Sequence, residues 1–315
     1  MATAAREKPS TLTITPLTGA LGARIEGVDL NRDLDAETAQ AIRTAFAEHL
    51  VLLFRTPEPA TPAAQDRLAE LFGEPQPLQV FQFLGAANAG ITFDPGSQIA
   101  DTGLANAPKP SPQMLHKDLK AIGLSGEFDN WHSDSTFCHF LPKAAVLRAE
   151  VLPAVGGGDT GFANLCAAYE ALSPMMQAWL EGVTALHIVP DGFKHSINIH
   201  KYGPDAEERF DAFFPPKEWP LVIRHPETGR RALFINPGYV AHIVGLKRKE
   251  SHALIRFLSH HVASQSFTYK HHWQMGDLVV WDEAFALHCA PNPEDFAPHP
   301  RKVVRVTAGR QAPAT

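Results

Sequence analysis

A mixed α+β fold, with a β-sandwich or jelly roll at its core and helices around it, follows from three observations. Short strand-like segments crowd the second half of the chain, helical segments flank them, and neither an internal repeat nor an alternating βαβ train is present. The 315 residues suit one large domain, whose interior the 19 Phe and 5 Trp can fill.

Residues 1–11 read as a mobile tail and residues 12–315 as the domain. TLTITPL alternates apolar and polar residues like a half-buried strand, and GARIEGVDL is a second candidate. Asp35 is placed to cap a helix through His49, and the apolar VLLFR at 51–55 follows as a strand. Thr61-Pro62 opens another helix, which Gly73 closes. From 84 to 128, Gly, Pro, Ser and Ala are spread without a period of either kind, so the stretch from about 78 to 128 is a lid or insertion. AAVLRAEVL at 144–152 reads as a strand, ANLCAAYEAL and PMMQAWLEG as helix, and VTALHIV as a strand. WPLVIRH and RRALFIN form a hairpin around PETG, residues 248–264 are helical, and SFTYKHHW, DLVVWD, FALHCA and RKVVRVTAG are short strands.

Composition narrows the function. A net charge of −6 with no basic block gives no footprint for nucleic acid or an anionic membrane, so the expected partners are small molecules or other subunits. Cys138, Cys166 and Cys289 are odd in number and far apart, which argues against a disulfide framework or a thiolate zinc site and for a reducing, cytoplasmic compartment. MATAAREKPST has no hydrophobic segment after it and so does not read as a secretory signal, and no run of about 18 apolar residues is available to cross a bilayer.

In DNWHSDSTF, a strand would turn His132 and Asp134 to one face and Ser133 to the other. That pair is part of a two-histidine, one-carboxylate triad, which suits Fe(II) because it leaves coordination positions open. The tripeptide alone is weak, and His116-Lys117-Asp118 repeats it inside the lid. A third ligand is available in His288, on a distant strand of the same core. Further on, Arg301, Val303 and Arg305 share one strand face, so two guanidinium groups point inward and require anions. A competing signal is GGGDTG at 156–161, which satisfies G-x-G-x-x-G after a strand and before a helix. It supports an NAD-dependent oxidoreductase, although it lies halfway along the chain with no βαβ train behind it. A jelly-roll protein without catalysis is the remaining alternative.

Through NWHSDSTF, GGDTGFANLCAAYEALSP, RALFINPGY, DLVVWD with LHCAPNP, and the final arginine strand, the chain resembles the taurine and 2,4-dichlorophenoxyacetate dioxygenase (TauD/TfdA) family. The likeness runs from ITPLTGALGARIEGVDL to RKVVRVTAG. It implies a double-stranded β-helix (cupin-like jelly roll) and a non-haem Fe(II) enzyme that uses 2-oxoglutarate and O2. It also implies that His132, Asp134 and His288 bind iron, that Thr160 and Arg301 hold 2-oxoglutarate, and that Arg305 holds the anionic group of the substrate. Substrate oxidation would release succinate and carbon dioxide and yield a hydroxylated or cleaved product. WDEA departs from the family's usual Trp-Asp-Asn at Glu283, and the loop between His288 and Arg301 is about two residues longer than in the taurine enzymes, a tolerable insertion. Leu78, Phe81 and Phe128 stand where the taurine enzymes present polar partners to the substrate, and Phe193 and Tyr239 match aromatic positions of the family pocket. These replacements imply a small anionic organic acid with an apolar body: an aryloxyalkanoate, an alkyl sulfate or sulfonate, or a carboxylated natural-product intermediate. Family members are commonly homo-oligomers, but no exposed apolar stripe in the sequence predicts one.

Overall fold

The computed structural model describes residues 12–56, 58–76, 78–80, 131–189, 193–194, 197–289, 296 and 298–315. Among them, the largest sheet has strand order β1-β2-β3-β12-β4-β14, built from Thr13–Pro16, Ala23–Glu26, Val51–Phe54, Leu278–Asp282, Ala144–Val151 and Lys302–Ala308. The pairing of β2 with β3 is parallel and the other pairings in this sheet are antiparallel. A smaller antiparallel sheet, β11-β5-β13, joins Thr268–His271, Thr160–Asn164 and Ala286–Cys289. Val240–Ile243, Thr184–His187 and Lys217–Pro220 form the sheet β10-β6-β7, and Val222–Arg224 with Arg231–Leu233 form the hairpin β8-β9.

The alternation of side chains explains the layers. Val51, Leu53, Ala145, Leu147, Val279, Trp281 and Val303 join Phe162, Ala163, Ala286 and Leu287 of the smaller sheet in one apolar cluster. Their neighbours in sequence, Leu52, Phe54, Ala144, Val146, Leu278 and Val280, point the other way. They meet Ile42, Ala45 and Phe46 of helix α1 (Ala36–His49) and Ala64, Leu68 and Ala69 of helix α2 (Pro62–Glu70). The large sheet is thus covered by helices on one face and by the small sheet on the other. Phe162 and Trp281, both fully buried, meet at 5.5 Å between the sheets. Burial of each such ring contributes roughly 1.5–3 kcal/mol.

Helix starts follow the sequence signals. Asp35 accepts the Thr38 N–H at 2.7 Å, and Thr61 accepts that of Ala64 at 3.2 Å. α1 ends at Leu50, which takes φ 63° and donates its N–H to Phe46 O at 2.8 Å, turning the chain directly into β3. Three readings change. β1 is exposed along its whole length rather than half-buried, because it is the outermost strand and the helices pack on β2, β3, β4, β12 and β14 instead. The segment ANLCAAYEAL is not helical throughout: β5 runs to Asn164, whose side chain caps the short helix α3 (Leu165–Glu170) by accepting the Ala167 N–H at 2.9 Å. A further helix, α4 (Pro174–Leu180), then follows the cap Ser173. Lys217–Pro220 also adds a strand beside β6 that the hairpin pattern did not reveal. Helices α5 (Ala206–Phe213) and α6 (Arg248–Val262) complete the set, and no helix among the described residues is long and apolar enough to cross a membrane. Residues 81–130, which hold most of the expected lid, lie outside the described residues.

Candidate metal centre and its surroundings

His132 and His288 face each other across an isolated antiparallel bridge. Each donates its main-chain N–H to the other's carbonyl, at 2.9 and 2.7 Å, and a pair bonded in this way carries its side chains on one face. The imidazole centroids are accordingly 4.2 Å apart. Among the described residues of DNWHSDSTF, 131–137, the expected strand is only this one bridge. After it the chain turns, with Ser135 at φ 65°, and the turn rather than strand alternation brings Asp134 Oδ1 to 3.6 Å from His132 Nε2. One ligand atom from each of His132, Asp134 and His288 lies within 4.8 Å of the others.

Glu283, which the resemblance marks as a departure that alters support near His288, holds this turn together with Asn236 and Trp219, to which the sequence assigns no role. Glu283 is fully buried; its Oε2 accepts the Asp134 N–H at 3.0 Å and its carbonyl accepts the Ser133 hydroxyl. Asn236 donates through Nδ2 to Ser133 O at 2.8 Å and to Thr136 Oγ1 at 2.9 Å, and Trp219 donates to Thr136 O at 2.7 Å. Gly238 packs so closely that a Cβ there would come within 3.2 Å of His132 Cβ. Both INPGY and WDEA stood out as motifs, but nothing in their spacing shows that they buttress the histidine and aspartate from behind.

Electrostatics set the protonation states. Burial works against a charge on Asp134, but Arg305 first and then the two imidazoles outweigh it and hold the carboxyl below its usual range. Arg305 pairs with Asp134 Oδ2 directly. The inward arginine therefore has an anion in the Asp134 carboxylate. Burial, aided by His132, pushes His288 down to about 3, so its ring is neutral near pH 7. Burial and then the neighbouring Asp134 charge push Glu283 in the other direction, well above the usual carboxylate range.

The second arginine turns elsewhere. A register shift at Lys302/Val303 separates it from Arg305, and Arg301 donates from Nε to Gly158 O at 2.7 Å and from Nη2 to Thr160 Oγ1 at 3.4 Å. Arg301 is 5% exposed, and burial pulls its guanidinium down to about 10. The cradle explains GGGDTG. Gly158, at φ 72°, lies so close that a Cβ would stand 2.8 Å from Arg301 Cδ, and a Cβ on Gly161 would stand 2.9 Å from the Trp131 ring. The run leads into the antiparallel strand β5, whereas a dinucleotide fingerprint ends at a helix N-terminus. The NAD reading is therefore set aside.

Beside the candidate metal-ligand cluster lies an aromatic one. Tyr239 is 6.3 Å from the His132 ring, 5.1 Å from Phe137 and 6.1 Å from Phe193. Val80, Phe210 and Phe214 join the same cluster. Of the anticipated pocket residues, Phe193 and Tyr239 are thus brought together. Leu78 is buried but, among the described residues, joins none of the apolar clusters, where Val80 appears instead. Phe81, Phe128 and the second H-x-D at His116 lie outside the described residues.

A family model described as "Taurine catabolism dioxygenase TauD, TfdA family" matches residues 13–307. The chain belongs to the TauD/TfdA dioxygenase family. The alkylsulfatase of Acinetobacter baylyi is 31% identical, over 94% of this chain and 84% of that protein. An alpha-ketoglutarate-dependent sulfate ester dioxygenase of Pseudomonas putida is also 31% identical, over 96% and 91%. Among solved structures, a taurine dioxygenase from Burkholderia xenovorans superimposes with a TM-score of 0.72 at 28% identity, covering 97% of this chain and 91% of that one. As a TauD/TfdA enzyme, the protein is an Fe(II)- and 2-oxoglutarate-dependent dioxygenase. Its donor set fits Fe(II): a neutral imidazole in His288, a second imidazole in His132, and a carboxylate kept ionised by Arg305.

Proposed function

We propose that the enzyme oxidises a small organic acid with an apolar body, with alkyl sulfate esters as its first candidate substrates. On this reading His132, Asp134 and His288 hold the iron, Thr160 and Arg301 hold the distal carboxylate of 2-oxoglutarate, and Arg305 holds the substrate anion. When bound, the iron supplies the oxidising chemistry, spending O2 and 2-oxoglutarate to give succinate and carbon dioxide while one oxygen atom goes to the substrate. The two sheets packed through Phe162 and Trp281 support the finer description of the core as a double-stranded β-helix. We also take residues 12–315 to be one domain, with the stretch from about 78 to 128 as its lid.

The observation that carries the substrate class is the pairing of one guanidinium with an aromatic wall. Arg305 is 17% exposed at its side chain and, among the described residues, donates only to Asp134, so its remaining N–H groups are available to an anion. Tyr239, within electrostatic reach of Arg305, and Phe193 supply the apolar surface, with the fully buried Phe137 packed behind them. An acid held by its charge at Arg305 lays its carbon chain along that wall, and the C–H bond nearest the metal ligands is the one exposed to attack. For an alkyl sulfate, hydroxylation of the carbon bearing the ester oxygen gives a hemiacetal sulfate. Its C–O bond to sulfate then breaks, leaving an aldehyde and sulfate. The two sulfate-ester relatives favour this member of the class.

Succinate release stimulated by hexyl sulfate, an aryloxyacetate and taurine tests the reading on Fe(II)-loaded enzyme. Hexyl sulfate is expected to give the highest kcat/KM and taurine the lowest; turnover of taurine as fast as the apolar acids refutes the substrate class.

A further inference from the structure

Thr160 opens β5 opposite His271 on β11, and Trp273, two residues beyond His271, reaches back over it. Trp273 donates from Nε1 to Thr160 Oγ1 at 3.0 Å, with both residues buried. Arg301 Nη2 approaches the same oxygen at 3.4 Å. An indole N–H and a guanidinium donate and never accept, whereas a hydroxyl has one proton and two lone pairs. Both lone pairs of Thr160 are thereby directed at donors. Its proton has no acceptor among the described residues and is excluded from both of those directions, so it projects into the remaining space beside the Arg301 guanidinium. A carboxylate, which only accepts, complements that pair of donors.

The indole is itself held from behind. His271 meets the Trp273 ring edge-on, with centroids 4.6 Å apart and planes at 86°. His271 sits between Tyr269 Oη at 2.9 Å and Asp277 Oδ2 at 3.1 Å. Asp277, fully buried, takes two bonds of 2.7 Å from Arg55 and one of 2.8 Å from the Gln274 N–H. This charged network lies behind the indole and is otherwise without a role in the proposed reaction.

We propose that Trp273 is a positioning residue that fixes the Thr160 hydroxyl as a one-way donor to the distal carboxylate of 2-oxoglutarate, with Arg55, Asp277 and His271 fixing the indole. The inference rests on reading Thr160 and Arg301 as the 2-oxoglutarate site. Without the Trp273 N–H, Thr160 is free to rotate, and its bond to the cosubstrate forms in only part of the population.

The test is a binding titration under anaerobic conditions, following the charge-transfer band of the Fe(II)-loaded enzyme. The ligands are 2-oxoglutarate and 2-oxopentanoate, which has the same chelating end but no distal carboxylate. In Trp273→Phe, and in a protein carrying benzothienylalanine at 273 to keep the ring shape without the N–H, Kd for 2-oxoglutarate is expected to rise about 2- to 10-fold, the range of one neutral hydrogen bond. Kd for 2-oxopentanoate is expected to stay put. Adding Thr160→Val to either variant should weaken 2-oxoglutarate no further than Thr160→Val alone. Equal weakening of both ligands, or unchanged 2-oxoglutarate affinity in the benzothienylalanine protein while Thr160→Val weakens it, overturns the role of Trp273. Unchanged 2-oxoglutarate affinity in Thr160→Val sinks the underlying site reading as well.

Discussion

Gly156→Ala and Gly158→Ala apply nearly the same backbone strain and should have different consequences. Gly156 has φ 79° and Gly158 has φ 72°, both in the left-handed region, where an L side chain costs roughly 1–2 kcal/mol. A Cβ on Gly156 meets nothing within 4 Å, so that strain is its whole effect. A Cβ on Gly158 stands 2.8 Å from Arg301 Cδ and 3.0 Å from its Nε. The arginine has to move, which breaks its 2.7 Å bond to Gly158 O and draws Nη2 from Thr160. Losing a charge-assisted contact to a bound carboxylate costs roughly 1.5–3 kcal/mol, or about 10- to 100-fold in affinity. Both variants should therefore melt a few degrees lower, Gly158→Ala by more because it also loses the buried Arg301 bond, while only Gly158→Ala loses 2-oxoglutarate affinity. Thermal melting paired with the anaerobic titration separates the two effects. Equal loss of 2-oxoglutarate affinity in both proteins, or none in Gly158→Ala, would refute the Arg301 cradle.

Other consequences are open to measurement. Glu283→Ala leaves the buried Asp134 N–H without an acceptor, at roughly 1–3 kcal/mol, and should weaken Fe(II) binding; Glu283→Gln, which keeps an acceptor oxygen, should restore most of it in a metal titration. Arg305→Ala should raise KM for the acid substrate far more than Kd for 2-oxoglutarate, and the reverse ranking would exchange the roles of the two arginines. Phe162→Ala empties a fully buried site against Trp281 and should cost about 3–5 kcal/mol in urea unfolding. Acid should also destabilise the fold through His187, which burial pushes down to about 3. Its unfolded form takes a proton near pH 6.5 while the folded form does not, so stability is intact above about pH 6.5 and falls by about 1.4 kcal/mol per pH unit as pH drops towards 3. Urea melts of the metal-free protein at pH 7.5 and 5.5 should differ less in His187→Gln, and identical pH responses would remove His187 from the account.

How much was legible beforehand varies by the kind of signal. The short apolar runs in VLLF and DLVVWD and the caps Asp35 and Thr61 are local, and the structure follows them closely. His132, Asp134 and His288 were legible as candidates because ligand chemistry restricts residue types, and the fold brings them together. Their geometry was not legible, since a turn at Ser135 and not strand alternation positions Asp134. GGGDTG misled because a glycine run marks close backbone approach without saying to what; the neighbour is Arg301, 143 residues away. Glu283, Asn236 and Trp273 act through contacts 103 to 149 residues distant, which no local pattern encodes.

The claim on which everything else depends is that His132, Asp134 and His288 bind Fe(II) next to a 2-oxoglutarate site. Anaerobic addition of Fe(II) and 2-oxoglutarate to the purified protein should produce a metal-to-ligand charge-transfer band in the wild type and none in Asp134→Ala. A folded wild-type protein that never develops the band, or an Asp134→Ala protein that develops it undiminished, contradicts the account.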